Sequence, residues 1–263
     1  MKRIGYLLTL FISLTFFSCE ELENILGDEE NGLTESEVIE GLKTALQVGS
    51  DTAVSVTSQL NGYYKDEAIK ILLPDEAEVI YDHMDHSLVQ NLGIDKLLED
   101  AVLSMNRAAE DAASDAGPIL KDAIINLSIS DGWDILNGKN PADNSNHQEA
   151  FDSTAATHYL TATTQQDLFN AFQPKINTSL EKDLVGDLST QEIWENLTNT
   201  YNTAAQTLGW ETVETQLDVY VTREALDGLF YKVGQEEKQI RRNPAQWAGT
   251  TVEKILKKVF SAT

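Results

Sequence analysis

From Thr34 to Phe260, apolar residues recur every three or four positions, and glycine or proline interrupts the pattern at intervals. This spacing places apolar side chains on one face of an α-helix. A chain with this pattern has to bury one face of each helix against other helices. We therefore predict an all-α fold, a single-domain multi-helix bundle with about nine to eleven helices and no substantial sheet.

Local capping signals predict where several helices begin and end. Thr34 and Glu37 form the capping-box pattern that starts a helix. Pro74 suits the first turn of a helix predicted over Asp75–Asn91. A long amphipathic helix is predicted over Thr190–Leu208, because the Gly209 that follows it is a typical helix stop.

Proline predicts two helix breaks. The pair Gly117–Pro118 is expected to end a helix that starts at Ile94, and Pro174 is expected to separate two shorter helical pieces. The last long helix is predicted over Thr222–Arg242. Two brief segments, Ile69–Leu73 and Leu217–Val221, have strand character, but two such pieces far apart in the chain do not predict a sheet.

The only cysteine, Cys19, stands directly behind an apolar run at the N-terminus. A positively charged start, the apolar run Leu7–Phe17 and the small Ser18 form the layout of a secretory signal. Leu14–Cys19 resembles a relaxed bacterial lipobox, in which the cysteine is acylated and the chain is cut just before it. The run is too short to span a bilayer as a helix. A plain cleaved signal with a coincidental cysteine is the alternative.

This N-terminus predicts three segments and a location. Residues 1–18 are predicted to be a lipoprotein signal peptide, 19–33 an acidic flexible tether, and 34–263 the helical domain. The tether is expected because Glu20–Gly32 cannot bury enough apolar surface to fold alone. We expect the chain to cross the inner membrane and to be lipid-anchored in the bacterial envelope through Cys19, at the outer membrane facing the periplasm.

The acidic composition excludes some partners. The chain has 19 basic and 43 acidic residues and a formal net charge of −24, and loss of the signal peptide would remove two basic residues, Lys2 and Arg3, and no acidic ones. Nucleic acid is not an expected partner, because binding it requires patches of lysine and arginine. With a single cysteine, neither an intramolecular disulfide nor a cysteine-ligated metal site is expected. The expected partners are the lipid bilayer and an unknown protein or small molecule.

A polar group on an alanine-rich helix is the best candidate site. Asn106 and Glu110 share one helix face, and Arg107 lies one turn before Glu110. One hypothesis is an inter-helix pocket that holds a small polar ligand, with Glu110 as a conceivable base and Asp134 as a further member. The alternative is that the charged side chains bond to neighbouring helices while the alanines allow close approach.

Metal and cofactor signals are weak. His83 and His86 stand one helical turn apart next to Asp82, and the three could ligate zinc on one face. A third or fourth ligand is missing from the local pattern, so an exposed acidic face is the favoured interpretation. The sequence has no phosphate loop, dinucleotide fingerprint, zincin motif or nucleophile elbow, and no cofactor is expected.

Two further polar groups have structural and functional interpretations. Glu237 and Arg241 stand in the stabilising i,i+4 order, which favours a salt-bridged helix surface over a ligand pocket. His158 could act as a general base, but no serine or cysteine is spaced to complete a triad with it.

Several motifs in a fixed order carry a resemblance to a known family. They lie at Gly41–Leu46, Ile71–Pro74, Met105–Glu110, Ala116–Ile119, Asp134–Gly138, Thr154–Thr157 with Tyr159, and Ala225–Phe230 with Glu236, Glu237, Ile240, Arg241 and Pro244. Over roughly Glu40 to Phe260 the chain resembles the bacterial domain-of-unknown-function family 4197. One departure is a longer loop over Asn140–Ser153.

The resemblance implies a secreted, mainly helical envelope protein and supplies no activity or catalytic residues. Our leading hypothesis is a membrane-tethered envelope lipoprotein that acts as a binding or interaction module and is not an enzyme. The alternatives are a hydrolase with an inter-helix site around Asn106, Arg107 and Glu110, and a purely structural envelope protein.

Overall fold

Four long helices form the framework of the domain in a computed structural model that describes residues 33–130, 132–139, 151–247 and 251–260. The predicted signal peptide, Cys19 and the tether up to residue 32 lie outside the described residues, as does most of the Asn140–Ser153 loop. Leu33, predicted as the end of the tether, is only 2% exposed and belongs to the core. The packed domain therefore includes the residue just before the first helix cap.

The described residues form ten helical elements, eight α-helices and two short 3₁₀ segments, which agrees with the predicted all-α fold. In chain order they are α1 (Glu35–Thr57), a 3₁₀ segment (Asp75–His83), α2 (Ser87–Asn91), α3 (Ile94–Asn126), α4 (Gly132–Leu136), α5 (Ala155–Leu180), α6 (Thr190–Leu208), α7 (Leu217–Arg242), a 3₁₀ segment (Pro244–Trp247) and α8 (Thr251–Phe260). Across this part of the chain the only strand-like feature is an isolated bridge between Val185 and Leu188.

The four longest helices close into a ring around one core. Helix α1 packs against α3 and α7, and α5 packs against the same two helices from the opposite side. Helix α6 covers α3, and α8 covers α1. Small side chains let α3 approach its neighbours closely, and six of its alanines are buried: Ala101, Ala108, Ala109, Ala112, Ala113 and Ala116.

The predicted helix end at Gly117–Pro118 is wrong, because α3 continues through both residues to Asn126. Glycine has no Cβ to collide with the proline ring that follows it, which removes much of the usual penalty before proline. Pro118 and Ser114 are both exposed. The Ser114 carbonyl, which loses its usual N–H partner at Pro118, therefore lies on the solvent side of the helix.

Packing also produces continuous helices at two places where the sequence predicts a break or a strand. Helix α5 runs through the exposed Pro174 without ending, and α7 begins at Leu217, where the sequence has strand character. By contrast, the helix predicted over Asp75–Asn91 is divided into a 3₁₀ segment and the short helix α2. Continuous apolar faces against the core outweigh local propensity in the first two cases.

The predicted caps are confirmed where the signal is purely local. The Thr34 hydroxyl accepts the Glu37 N–H at 3.3 Å, and the Glu37 carboxylate accepts the Thr34 N–H at 3.0 Å. Gly209 ends α6 in the left-handed conformation with φ 74°. Within the described residues, no helix is both long enough and apolar enough to cross a membrane.

Candidate functional site

Asn106 is the most completely buried polar member of the predicted site, with 0% of its surface exposed. Its side-chain oxygen accepts the Ile71 N–H at 2.9 Å, and its amide nitrogen donates to the Ile71 carbonyl at 2.7 Å. The same nitrogen also donates to the Val102 carbonyl one turn earlier. The side chain therefore bonds the turn-rich 58–74 segment, which joins α1 to the first 3₁₀ segment, to the middle of α3.

Glu110, 4% exposed, holds the same 58–74 segment at a second point. One carboxylate oxygen accepts the backbone N–H groups of Tyr63 and Tyr64 at 3.1 and 3.0 Å. The other oxygen forms an ion pair with Arg107, which in turn donates to the Asn61 side chain at 3.0 Å. Asn61 adopts φ 70°, so this contact also supports a left-handed turn that few non-glycine residues adopt.

Tyr63 shows how tightly the segment is packed. Its hydroxyl donates to the Ala225 carbonyl of α7 at 2.7 Å, and burial raises the pKa of that hydroxyl far above its ordinary value. Its ring lies on Gly228, where a Cβ would come within 2.7 Å of a ring carbon. The 58–74 segment is thus fixed between α3 and α7.

The structure brings together three of the four predicted site residues. Asn106, Arg107 and Glu110 lie side by side, as their spacing predicts, and their polar atoms bond to the 58–74 segment and to one another. Asp134 lies on α4, which packs against α1 and α5, and its carboxylate pairs with Lys139 at 2.8 Å. Ligand binding by these residues stays a prediction.

A second buried carboxylate performs a similar role near the start of α5. Glu237 is 1% exposed and accepts the N–H groups of Ala156 and Thr157 at 3.1 and 2.8 Å, together with the Thr157 hydroxyl at 2.7 Å. These N–H groups belong to the first turn of the helix, where no intrahelical partner exists. A negative charge is also favoured at this end of a helix.

Arg241 completes this second group by bonding the end of α4. It pairs with Glu237 at 2.8 Å and donates to the carbonyls of Leu136 and Ile135 at 2.7 and 3.0 Å. The predicted i,i+4 salt bridge is confirmed, but its predicted place on the helix surface is wrong, because side-chain exposure is only 7% for Arg241 and 1% for Glu237. The i,i+4 order was visible in the sequence, whereas the contact with the start of α5 spans 80 residues.

The two predicted metal candidates contact an aromatic ring. His83 stacks on Trp210 with ring centroids 3.8 Å apart, and His86 meets the same indole edge-on at 5.0 Å. The His83 Nδ1 atom also lies 2.9 Å from the Val79 carbonyl and 3.2 Å from the Tyr201 hydroxyl. Among the residues that the structure places, no group of three or more His, Cys, Asp or Glu side chains is arranged to hold a metal ion.

His158 lies in an oriented pair that the sequence pattern did not identify. Its Nδ1 is 2.7 Å from a carboxylate oxygen of Asp152. The other Asp152 oxygen accepts the Thr154 N–H and hydroxyl at 2.8 and 2.7 Å. Burial raises the pKa of Asp152, but the hydrogen bonds from Thr154 and His158 outweigh it and hold the pKa below its ordinary value. The Asp-x-Thr pattern just before α5 was the available sequence signal.

A cleft between α5 and α7 begins at this histidine. Two adjoining cavities of about 240 and 510 Å³ share Asp227 and Phe230 in their walls. The smaller cavity contains His158 and Lys238, and the larger one contains Arg223. We call the two cavities together the α5–α7 cleft.

Two further grooves lie on other faces of the bundle. The α1–α3 groove, about 670 Å³, has an apolar wall that includes Ile39, Ile125 and Ile255. The α3–α5 groove, about 610 Å³, is bordered by Tyr159 and Asp167. Neither groove is lined by a histidine, whereas the α5–α7 cleft is lined by a histidine, a lysine and an arginine.

The fold and these groups define a class of protein, an all-α domain with two buried carboxylates that cap backbone and with open clefts between helices. Residues 32–261 match a family described as protein of unknown function, DUF4197, and the chain therefore belongs to this family. The resemblance inferred from the sequence motifs is confirmed. No curated protein and no solved structure matches the chain significantly.

Proposed function

We propose that this protein is a lipid-anchored envelope protein whose helical domain acts as a binding module. The observation that carries the proposal is a contrast between buried and open polar groups. The polar atoms of Asn106, Arg107 and Glu110 bond to backbone and to one another, whereas His158 and Lys238 face an open cleft. The cleft therefore presents polar side chains that a ligand or partner can reach.

The hydrolase alternative is less well supported by the same contacts. A general base has to reach a substrate proton directly or through one water molecule. Both oxygens of Glu110 already accept hydrogen bonds, from Tyr63 and Tyr64 on one side and from Arg107 on the other. A purely structural envelope protein would need no charged open cleft, which favours binding over that third hypothesis.

The location in the proposal depends on the N-terminal sequence. Cys19 follows an apolar run and a small residue, and an acylated cysteine would place the domain at a bilayer surface. The acidic stretch Glu20–Gly32 would then act as a spacer between the lipid and the domain. The partner is a protein or a small molecule, because a net charge of −24 opposes binding to nucleic acid.

The Cys19→Ser variant tests the anchor. We expect the native chain to fractionate with membranes and the variant to be lost from them, because serine has no thiol to acylate. Fractionation of a bacterial host followed by immunoblotting and mass determination of the N-terminus measures both properties.

The matched control is Asn24→Ser, a small polar change in the tether that leaves the cysteine intact. It should remain in the membrane fraction with an acylated N-terminus. Membrane association of Cys19→Ser equal to that of the control would show that the anchor proposal is wrong.

A further inference from the structure

The geometry of His158 leaves one ring nitrogen available for a ligand. Asp152 is ionised, since its pKa is lowered, and a carboxylate can only accept a hydrogen bond. The His158 Nδ1, 2.7 Å away, therefore carries the proton in this contact. Nε2 is then the ring nitrogen that can bond outward, and a hydrogen bond between it and an acid group would hold one proton between the two.

Cationic side chains flank the cleft in an otherwise acidic protein. Lys238 lines the smaller cavity with His158, and Arg223 lines the larger cavity. Among the described residues, neither cation has a carboxylate partner within ion-pair distance, whereas Lys182 and Lys232 do. An unpaired cation in a concave site attracts anions more strongly than one on a flat surface.

Apolar side chains lie next to these charges in the wall of the cleft. Leu226 and Phe230 are buried members of the wall, and Phe169 faces the larger cavity. Phe230 also borders the smaller cavity, so apolar contact is continuous with the site of His158 and Lys238. Asp227 is the carboxylate in the cleft, and burial raises its pKa while Arg223 lowers it by a smaller amount.

We propose that the α5–α7 cleft binds an organic anion with an apolar body, whose acidic group contacts Lys238 and His158 and whose body lies against Phe230. Asp152 is a positioning residue in this site, because it holds the imidazole through Nδ1 and has no contact of its own with the ligand. The inference rests on the proposed binding function and names its ligand class.

The test uses the full acylated chain in phosphatidylcholine nanodiscs and two probes with the same apolar body. Phenylbutyrate carries a carboxylate, and phenylbutylammonium carries an ammonium group in its place. We expect the carboxylate probe to bind at least about tenfold more tightly in a calorimetric titration, since only its charge is opposite to that of Lys238. Lys238→Gln should weaken its binding about tenfold, and His158→Gln should weaken it in the same direction.

Lys96→Gln is the matched control, because it removes the same charge from an exposed position on α3 outside the cleft. It should change the affinity for phenylbutyrate by less than about twofold. Three outcomes would overturn the inference: equal binding of the two probes, equal effects of Lys238→Gln and Lys96→Gln, or no binding of phenylbutyrate at millimolar concentration. Each could occur while Cys19 still anchors the chain and a protein partner occupies the α5–α7 cleft, so failure here is distinguishable from failure of the proposed function.

Discussion

The Glu237→Ala variant is expected to unfold with a free energy about 3 to 5 kcal/mol lower than that of the native chain, because it removes one partner of a buried ion pair. Arg241 would keep its bonds to the α4 carbonyls but lose its counter-ion. The first-turn N–H groups of Ala156 and Thr157 would also lose their acceptor. Chemical denaturation followed by circular dichroism measures the change.

Glu236→Ala is the matched control, since Glu236 is the preceding residue on α7 and is only partly buried. Burial raises the pKa of Glu236, so loss of its carboxylate removes no favourable charge interaction of comparable size. We expect a change within about 1 kcal/mol. If Glu237→Ala does not fold, Glu237→Gln replaces it in the comparison. Its amide keeps one acceptor oxygen, so its free energy of unfolding should fall by less. Equal unfolding midpoints for the Glu236→Ala and Glu237→Ala variants would contradict the assigned capping role.

The free energy of unfolding of the Glu110→Ala variant is expected to fall by about 3 to 5 kcal/mol, which is the cost of leaving a buried charge unpaired. The 58–74 segment is expected to be released from α3. The Glu110 carboxylate holds Tyr63 and Tyr64 by their N–H groups and neutralises Arg107. Hydrogen exchange of peptides from this segment should accelerate by about a hundredfold, because local opening becomes easier.

Glu99→Ala is the control for this change, since Glu99 lies on the same helix and is exposed. It should leave exchange of the 58–74 segment as it is in the native chain. If the 58–74 segment of the Glu110→Ala variant exchanges at the same rate as in the native chain, the segment is held by other contacts. The structural role assigned to Glu110 would then be wrong.

Local signals in the sequence predicted several helix ends well. The cap at Thr34 and the stop at Gly209 depend on side chains within one turn, and both are confirmed. The breaks at Pro118 and Pro174 were wrong because the apolar faces of α3 and α5 continue past each proline into the core. A proline on the solvent side of a packed helix therefore costs less free energy than the usual penalty for proline in a helix interior implies.

The candidate site was predictable in part. The spacing of Asn106 and Glu110 correctly places both side chains on one face of α3, but their backbone partners in the 58–74 segment lie 35 to 47 residues away in the chain. No local pattern identifies which backbone will cross that face. The same reason explains why Glu237 was expected at the surface, since its N–H donors are about 80 residues distant.

The α5–α7 cleft could not be predicted for a different reason. Its chemistry depends on the start of α5 facing the C-terminal half of α7, which places His158 and Lys238 in the wall of one cavity. The pairing of Asp152 with His158 crosses the start of α5, at a spacing of six residues that matches no common helix pattern.

Hydrogen exchange of the acylated chain in its own envelope tests the binding function most directly. The comparison is with the same chain purified into phosphatidylcholine nanodiscs, where the lipid contact is kept and other envelope components are removed. We expect slower exchange in the envelope for peptides that line the α5–α7 cleft, residues 157–169 and 219–238, and equal exchange for the 58–74 segment. Equal exchange throughout the chain, or protection confined to the 58–74 segment beside Asn106 and Glu110, would contradict the account.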